Sequence, residues 1–409
     1  MWLYKTIIGV NKQLNKLIPI PFPELVHGSG CIADAGDLLA AQGVKKPLVV
    51  TDKMLVSLGI VEKLTCSLEK HQIEYTLFDE VTPDPSIATV NAGVKVYQRH
   101  NCDAIVALGG GSPIDCAKVI GAKVVKKANV KALSGKLKVR KRLPPFMAIP
   151  TTAGTGSEAT IAAVITDPEA RSKFAVIDPV LVPQVALLDP ELMVGLPKPV
   201  TAATGMDALT HAIEAYLGSF SNELTDRYAK EAITTIFDQL PKAYTDGSDL
   251  QAREAMAMAS YQAGCAFTRA FVGYVHAIAH QLGGLYHIPH GLANAVLLPY
   301  VLRFSFPACR QRFEDMAALI GLAHGEQFIE AVAQLNQQLN IPDMFEQLKA
   351  DDIPEIARRA LKEAHGTYPV PRYMTQSQCE ALLRQLLSSE TGSLAGNNMT
   401  SRTTKVATP

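Results

Sequence analysis

Between residues 47 and 152, short apolar runs alternate with stretches of helical character, and this alternation restricts the fold more than any other feature. PLVVTD (47–52), IEYTLFD (73–79), DAIVALG (103–109) and FMAIPTT (146–152) read as strands, with a helix over 86–100 and another opening at GGGSPIDCAKVI. Strands separated by helices argue for a parallel, doubly wound sheet. Residues 158–188 keep strand-like runs punctuated by Pro168, Pro179 and Pro183. From about Pro197 the character changes, and one helical stretch follows another with no convincing strand alternation. Phe328, Val332, Leu335 and Leu339 form an apolar stripe at helical spacing, which is core material. The expected organisation is an α/β domain with a Rossmann-like parallel sheet over 1–196 and an all-α domain over 197–388. Residues 389–409 lose apolar periodicity and read as a flexible tail.

Length and charge narrow the function. A chain of 409 residues accommodates two domains, each with its own core. Lys+Arg and Asp+Glu both number 39, so no net field favours nucleic acid or an anionic membrane. The main run of like charge, KLKVRKR (136–142), reads as a solvated loop. Seven cysteines are scattered singly with no CxxC, which fits reduced thiols in a cytoplasmic protein. The N-terminus has apolar residues but is broken by Lys5, Asn11, Lys12 and Lys16, and it lacks the pattern of a signal peptide. No stretch approaches the length of a membrane span.

The richest chemistry runs from Gly205 to Asn294. Asp207 and His211 are four apart, one above the other on a helix, and His276 and His280 repeat the spacing. His290 follows on a turn where Gly283 and Gly284 would end one helix and Pro289-His290-Gly291 would start the next. A single histidine pair at this spacing is more often two solvated side chains than two ligands. Here half of the ten histidines fall in one window among Ala, Leu and Ile, where an unpartnered imidazole is costly to bury. One carboxylate and several imidazoles from distant helices suit a divalent transition metal.

The sheet half carries a second constellation. GGGSPIDCAK (109–118) sets three glycines after a strand and at the start of a helix, where free N–H groups favour an anion such as pyrophosphate. A glycine run alone is often only a tight turn, and its placement after DAIVAL strengthens phosphate binding. PTTAGTGSE (150–158) also follows a strand and would face the same sheet edge. Asp52, ending PLVVTD, suits either adenosine ribose hydroxyls or a helix N-cap.

Together GGGSPIDCAK, IPTTAGTGSE, GMDALTHAIEAY and HAIAHQLGG…PHGLANA resemble the iron-containing (group III) alcohol dehydrogenases, over roughly residues 25–385. The resemblance implies a dehydroquinate synthase-like architecture, with the cofactor in a cleft between the α/β and helical domains. It implies Asp207, His211, His276 and His290 as metal ligands, for Fe²⁺ or Zn²⁺, and His280 as a residue of proton transfer. It further implies Asp52, Asp84, Gly110, Gly111, Ser112, Asp115, Thr151, Thr152, Thr155, Val164 and Lys173 as cofactor contacts, for NAD with NADP as the alternative. Asp84 stands where relatives often have Asn. A homo-oligomer, with a dimer favoured, and a small alcohol or aldehyde substrate follow from the same resemblance.

The implied reaction moves a hydride between a small alcohol, or its aldehyde or ketone, and a nicotinamide, with the metal easing deprotonation of the alcohol oxygen. Competing readings are a dehydroquinate-synthase-like lyase, a zinc glycerol dehydrogenase, and a non-catalytic NAD- or metal-binding protein. Five positions depart from the family pattern: Arg269, Phe271, Tyr274, Gln281 and His287. Phe271 and Tyr274 lie within one turn of His276, and a helix there would put at least one of them against the substrate. Arg269 is expected either to face an acidic substrate or, more blandly, to pair with a nearby carboxylate.

Overall fold

The computed structural model describes residues 2–170 and 172–387, so the tail expected at 389–409 lies outside the described residues. The first half contains strands β1 (Glu24–His27), β2 (Pro47–Val50), β3 (Thr76–Phe78), β4 (Ala104–Gly109), β5 (Gly135–Lys136), β6 (Phe146–Pro150), β7 (Ala162–Asp167), β8 (Ser172–Ile177) and β9 (Val185–Leu188). Its helices are α1 (Trp2–Lys16), α2 (Ala35–Ala41), α3 (Lys53–Ser57), α4 (Ile60–Lys70), α5 (Ile87–Arg99) and α6 (Gly111–Val125). Six strands form one wholly parallel sheet in the order β1-β9-β6-β4-β2-β3. Its central strands are apolar along their whole length because both faces are covered. Leu48, Val50, Ile105, Ala107 and Phe146 enter one core, while Val49, Val106, Leu108, Met147 and Ile149 enter the opposite one. This is the two-residue alternation of a pleated strand.

The chain leaves β2 for β3 on one side and returns to β4 on the other. The carboxyl ends of β2, β4 and β6 therefore flank the crevice where open α/β sheets bind ligands. Two features differ from the sequence expectation. Strand β1 was not anticipated, and it adds to the sheet edge beside β9. The strand-like runs after 158 do not all join the parallel sheet: β7 and β8 pair antiparallel and, with β5, make a separate three-stranded sheet.

The remainder is helical, as expected: α7 (Lys198–Leu217), α8 (Glu223–Thr245), α9 (Leu250–Ala270), α10 (Tyr274–Tyr286), α11 (His290–Ser305), α12 (Arg310–Leu319), α13 (Gly325–Gln338), α14 (Ile353–Ala364) and α15 (Gln376–Arg384). Helix α7 is buried along most of its length and forms the spine of this half. Phe328, Val332, Leu335 and Leu339 are buried, as their spacing predicts. Gly283 and Gly284 do not end α10; the helix runs to Tyr286 and stops where His287 adopts φ 57°. Among the described residues, no helix is long and apolar enough to cross a membrane. All seven cysteines are unpaired.

The halves meet where the loop after β6 packs on α9. Gly156, at φ +59°, sits so close to α9 that a Cβ would lie 2.7 Å from the Gly264 Cα. Buried Lys118 secures the same loop from α6, donating to the Thr160 carbonyl and hydroxyl and to the Ala162 carbonyl. Gly156→Ala should therefore destabilise the protein by about 1–3 kcal/mol, the usual cost of overpacking. Urea unfolding measures this, and an unchanged midpoint would contradict the close packing described.

Candidate metal and cofactor site

Three helices converge on one cluster. Helix α7 supplies Asp207, His211 and Glu214 at i, i+4 and i+7; α10 supplies His276 and His280; α11 supplies His290 and Asn294. The Asp207 Oδ1 lies 3.7 Å from His290 Nε2, 3.8 Å from His276 Nε2 and 4.0 Å from His211 Nδ1. The donor atoms of Asp207, His276 and His290 all lie within 4.8 Å of one another. His211 stands beside this trio, its ring stacked on His276 at 4.5 Å and on Phe267 at 4.1 Å. Gly291 allows the approach of α11 to α7, since a Cβ there would fall 2.3 Å from the Ala203 carbonyl oxygen.

The electrostatics of the cluster fit a cation. Burial holds His211 down to about 3 and holds His276 and His290 well below the usual imidazole range, so the rings are neutral and present lone pairs. Burial also raises the Asp207 carboxyl, with His211 and Asn294 pulling the other way. His211 Nδ1 is buried without a hydrogen-bond partner. The Asn294 amide nitrogen lies 2.7 Å from Asp207 Oδ1 and 3.2 Å from both His276 Nε2 and His290 Nε2. An amide with two protons cannot serve three acceptors fully. An orphaned imidazole nitrogen and a shared donor make a mixed O/N set suited to Fe²⁺ or Zn²⁺.

A second layer, not singled out from the sequence, orients these side chains. Glu214 accepts from His276 Nδ1 and from the Gly273 and Val275 N–H groups, each at 2.7 Å. Burial pushes this carboxyl up to about 7, against the pull of those donors. The bond fixes the His276 tautomer and turns Nε2 into the cluster. Glu363 does the same for His280, accepting from its Nδ1 at 2.7 Å and from the Tyr368 hydroxyl at 2.8 Å. Burial lowers the His280 imidazole, but the Glu363 charge and hydrogen bond outweigh it and the net shift is upward. His280 also stacks on His290, ring centres 5.2 Å apart.

The expected cofactor residues lie at the carboxyl ends of β2, β4 and β6, before α5, and on β7 and β8 of the three-stranded sheet. Gly110 caps α6 without a side chain, leaving the first-turn N–H groups of Gly111 and Ser112 without a side-chain cap. Thr152 and Thr155 face this turn: Cβ atoms added at Gly110 and Gly111 would lie 3.4 and 2.8 Å from them. Thr151 is tied to the β4 end through the Gly109 carbonyl. Asp115 accepts from the Ser157 hydroxyl and the Val164 N–H, so these residues are joined to each other. Asp84 and Lys173 form an ion pair at 2.6 Å, and the Lys173 charge reaches both His280 and His290. Asp52 does act as an N-cap, accepting from the Leu55 N–H at 3.0 Å.

Of the residues flanking His276, Tyr274 lies on its helix as expected and Phe271 does not. Helix α9 ends at Ala270 and Phe271 adopts φ +65°, so Phe271 is not on the helix of His276. It packs edge-on against Phe220, away from the histidine cluster. Tyr274 is buried and directs its hydroxyl to His365 and the Met374 N–H. Among the described residues Arg269 pairs with no carboxylate; it donates to the Cys265, Ile20 and Pro21 carbonyls and stacks on Phe22. Gln281 donates to Glu363, and His287 terminates α10.

Comparison with known proteins accounts for both halves. The family description "Iron-containing alcohol dehydrogenase" matches residues 23–190, and "Fe-containing alcohol dehydrogenase family, C-terminal" matches residues 201–387. The 1,3-propanediol dehydrogenase of Klebsiella pneumoniae is 43% identical over 370 residues, 88% of this chain and 95% of that protein. The NAD-dependent methanol dehydrogenase of Bacillus methanolicus is 40% identical over 375 residues, 89% of this chain and 98% of that protein. A crystal structure of 1,3-propanediol oxidoreductase superposes with a TM-score of 0.87 at 41% identity, covering 90% of this chain and all of that one (100%).

If the cluster holds a divalent ion through His276, loss of the Glu214 charge should loosen it. Glu214→Gln should weaken metal affinity about 10–100-fold, the usual effect of changing a ligand's supporting carboxylate. Competition against a coloured chelator measures this, and an affinity equal to wild type would remove Glu214 from that role.

Proposed function

The chain belongs to the iron-containing alcohol dehydrogenase family, and we propose on that premise that it interconverts a small alcohol and its aldehyde or ketone. One observation carries the reading: a buried carboxylate and three neutral imidazoles meet beside a cleft edge whose glycine turn is free to bind phosphate. Asp207, His211, His276 and His290 would hold the metal, which we read as Fe²⁺, with Zn²⁺ acceptable to the same donors. When bound, the metal supplies Lewis-acid stabilisation of the alcohol oxygen, and a nicotinamide supplies the hydride acceptor.

The chain's own residues bind, orient and move a proton. The first-turn N–H groups of Gly111 and Ser112 would receive the pyrophosphate, with Gly110 permitting close approach and Thr151, Thr152 and Thr155 forming the facing wall. Asp52, still offering one oxygen beyond its cap, would accept from the adenosine ribose hydroxyls and disfavour a 2′-phosphate. Asp115 and Val164 shape the floor, and the Asp84–Lys173 pair borders the histidines. His280, aligned by Glu363 and Tyr368, would take the alcohol proton at Nε2 and return it in the reverse direction. Phe267, stacked on His211, adds an apolar wall that helps exclude water.

The division near 196/197, a cytoplasmic setting and a homodimer belong to the same proposal. Seven unpaired cysteines support the setting, and the helical run beginning at Lys198 supports the division.

NADH oxidation with a panel of small aldehydes, with Fe²⁺ or Zn²⁺ added, tests the activity; no turnover with either metal would favour a binding protein. His276→Ala should abolish metal retention and turnover while leaving the fold intact, because the core does not depend on the ion. Metal content equal to wild type would remove His276 from the ligand set. NADH should give a higher kcat/KM than NADPH, and Asp52→Ala should narrow the difference by ~1–3 kcal/mol. A wild-type preference for NADPH would contradict the role of Asp52.

A further inference from the structure

A second cavity lies apart from the metal and cofactor cleft. Its volume is about 380 Å³, within the range of roughly 300–1,000 Å³ typical of small-molecule sites. The N-terminal segment contributes Lys12 and Asn15, the three-stranded sheet Lys136 and Ile177, and the helical half Phe220 and Phe271. Strand β8 runs past both. Lys173 near its start acts on the histidines, while Ile177 at its end faces the cavity, about 13 Å further on at the rise of an extended strand.

The charge on the wall has one sign. Among the described residues its ionisable side chains are Lys12, Lys136 and Arg269, and no Asp or Glu lines it. The Lys12 ammonium donates to the Ser219 carbonyl and Arg269 to three further carbonyls, so none of these partners carries a negative charge. The Lys136 ammonium lies 4.8 Å from the centre of the Phe271 ring, with no ion pair among the described residues. Three cations without an anion are a deficit that a bound anion would offset. Ile161, Ile177 and Phe220 make the rest of the wall apolar.

We propose that this cavity binds an amphipathic organic anion, a carboxylate on a short hydrocarbon chain. The head group meets Lys12 and Lys136, and the chain lies against Ile161, Ile177 and Phe220. Lys12 and Asn15 precede residue 23, where the family match begins, so the site depends on a segment outside the matched region. Occupancy would fasten that segment to both halves of the molecule.

Calorimetric titration of the full chain with octanoate, octanol and inorganic phosphate tests the proposal. Octanoate should bind once per chain, with octanol and phosphate about tenfold weaker or more, the effect of losing a charge-assisted contact or the apolar one. Lys136→Met should weaken octanoate by a similar factor without changing aldehyde turnover, and Lys136→Arg should restore it. His276→Ala should bind octanoate as wild type does, which separates this cavity from the metal cluster. The proposal is overturned if octanoate does not bind, if octanol or phosphate binds equally well, if Lys136→Met binds undiminished, or if His276→Ala loses binding.

Discussion

The Glu214 carboxylate is the contact on which the site's geometry depends. Helix α9 stops at Ala270, the chain turns through Phe271, Val272 and Gly273, and α10 starts at Tyr274. The first N–H groups of α10 would be orphans in a buried setting, and Glu214, one helix away, accepts two of them together with the His276 ring. One side chain thereby ends a break between helices, joins α10 to α7 and sets a tautomer. Gly273 has no side chain because Glu214 fills that space: a Cβ would lie 2.7 Å from its Oε1. Phe271 accepts a left-handed backbone at the same turn, a local cost offset by the contacts that the turn makes available.

From this anchor the arrangement extends outward. With α10 fixed, His276 and His280 face α11, and the close approach at Gly291 brings His290 to Asp207. The sheet half supplies a complementary edge whose loops are held by buried polar contacts, Lys118 to Thr160 and Asp115 to Ser157 and Val164. Those contacts use polar atoms within the protein and leave the start of α6 without a side-chain cap.

Much of this was legible in the sequence because it rests on repeating patterns. The apolar runs of β2, β4 and β6 and the i, i+4 pairs Asp207/His211 and His276/His280 declare themselves without tertiary information. What was not legible depends on contacts between distant segments. Glu214 lies seven residues after Asp207, on the same helix face, and that spacing is the one signal that marks it. Glu363 and Tyr368 lie more than eighty residues from His280 and carry no such signal. The break at Phe271 was hidden because the flanking sequence is compatible with a continuous helix, which would put at least one of Phe271 and Tyr274 against the substrate. Their true neighbours, Phe220, His365 and Met374, come from elements that spacing cannot connect. Helix α1 was obscured by its lysines, which interrupt its apolar pattern; Asn11 and Lys12 tie it to the Gly366 and Ser219 carbonyls of the helical half.

The central claim is that side chains from α7, α10 and α11 enclose one metal position. Anomalous diffraction at the iron absorption edge, from crystals of the iron-loaded protein, tests it most directly. The account predicts a single strong peak bounded by Asp207, His211, His276 and His290, at about 2.0–2.2 Å from each donor atom. A peak coordinated by other residues, or none within this cluster, would contradict it.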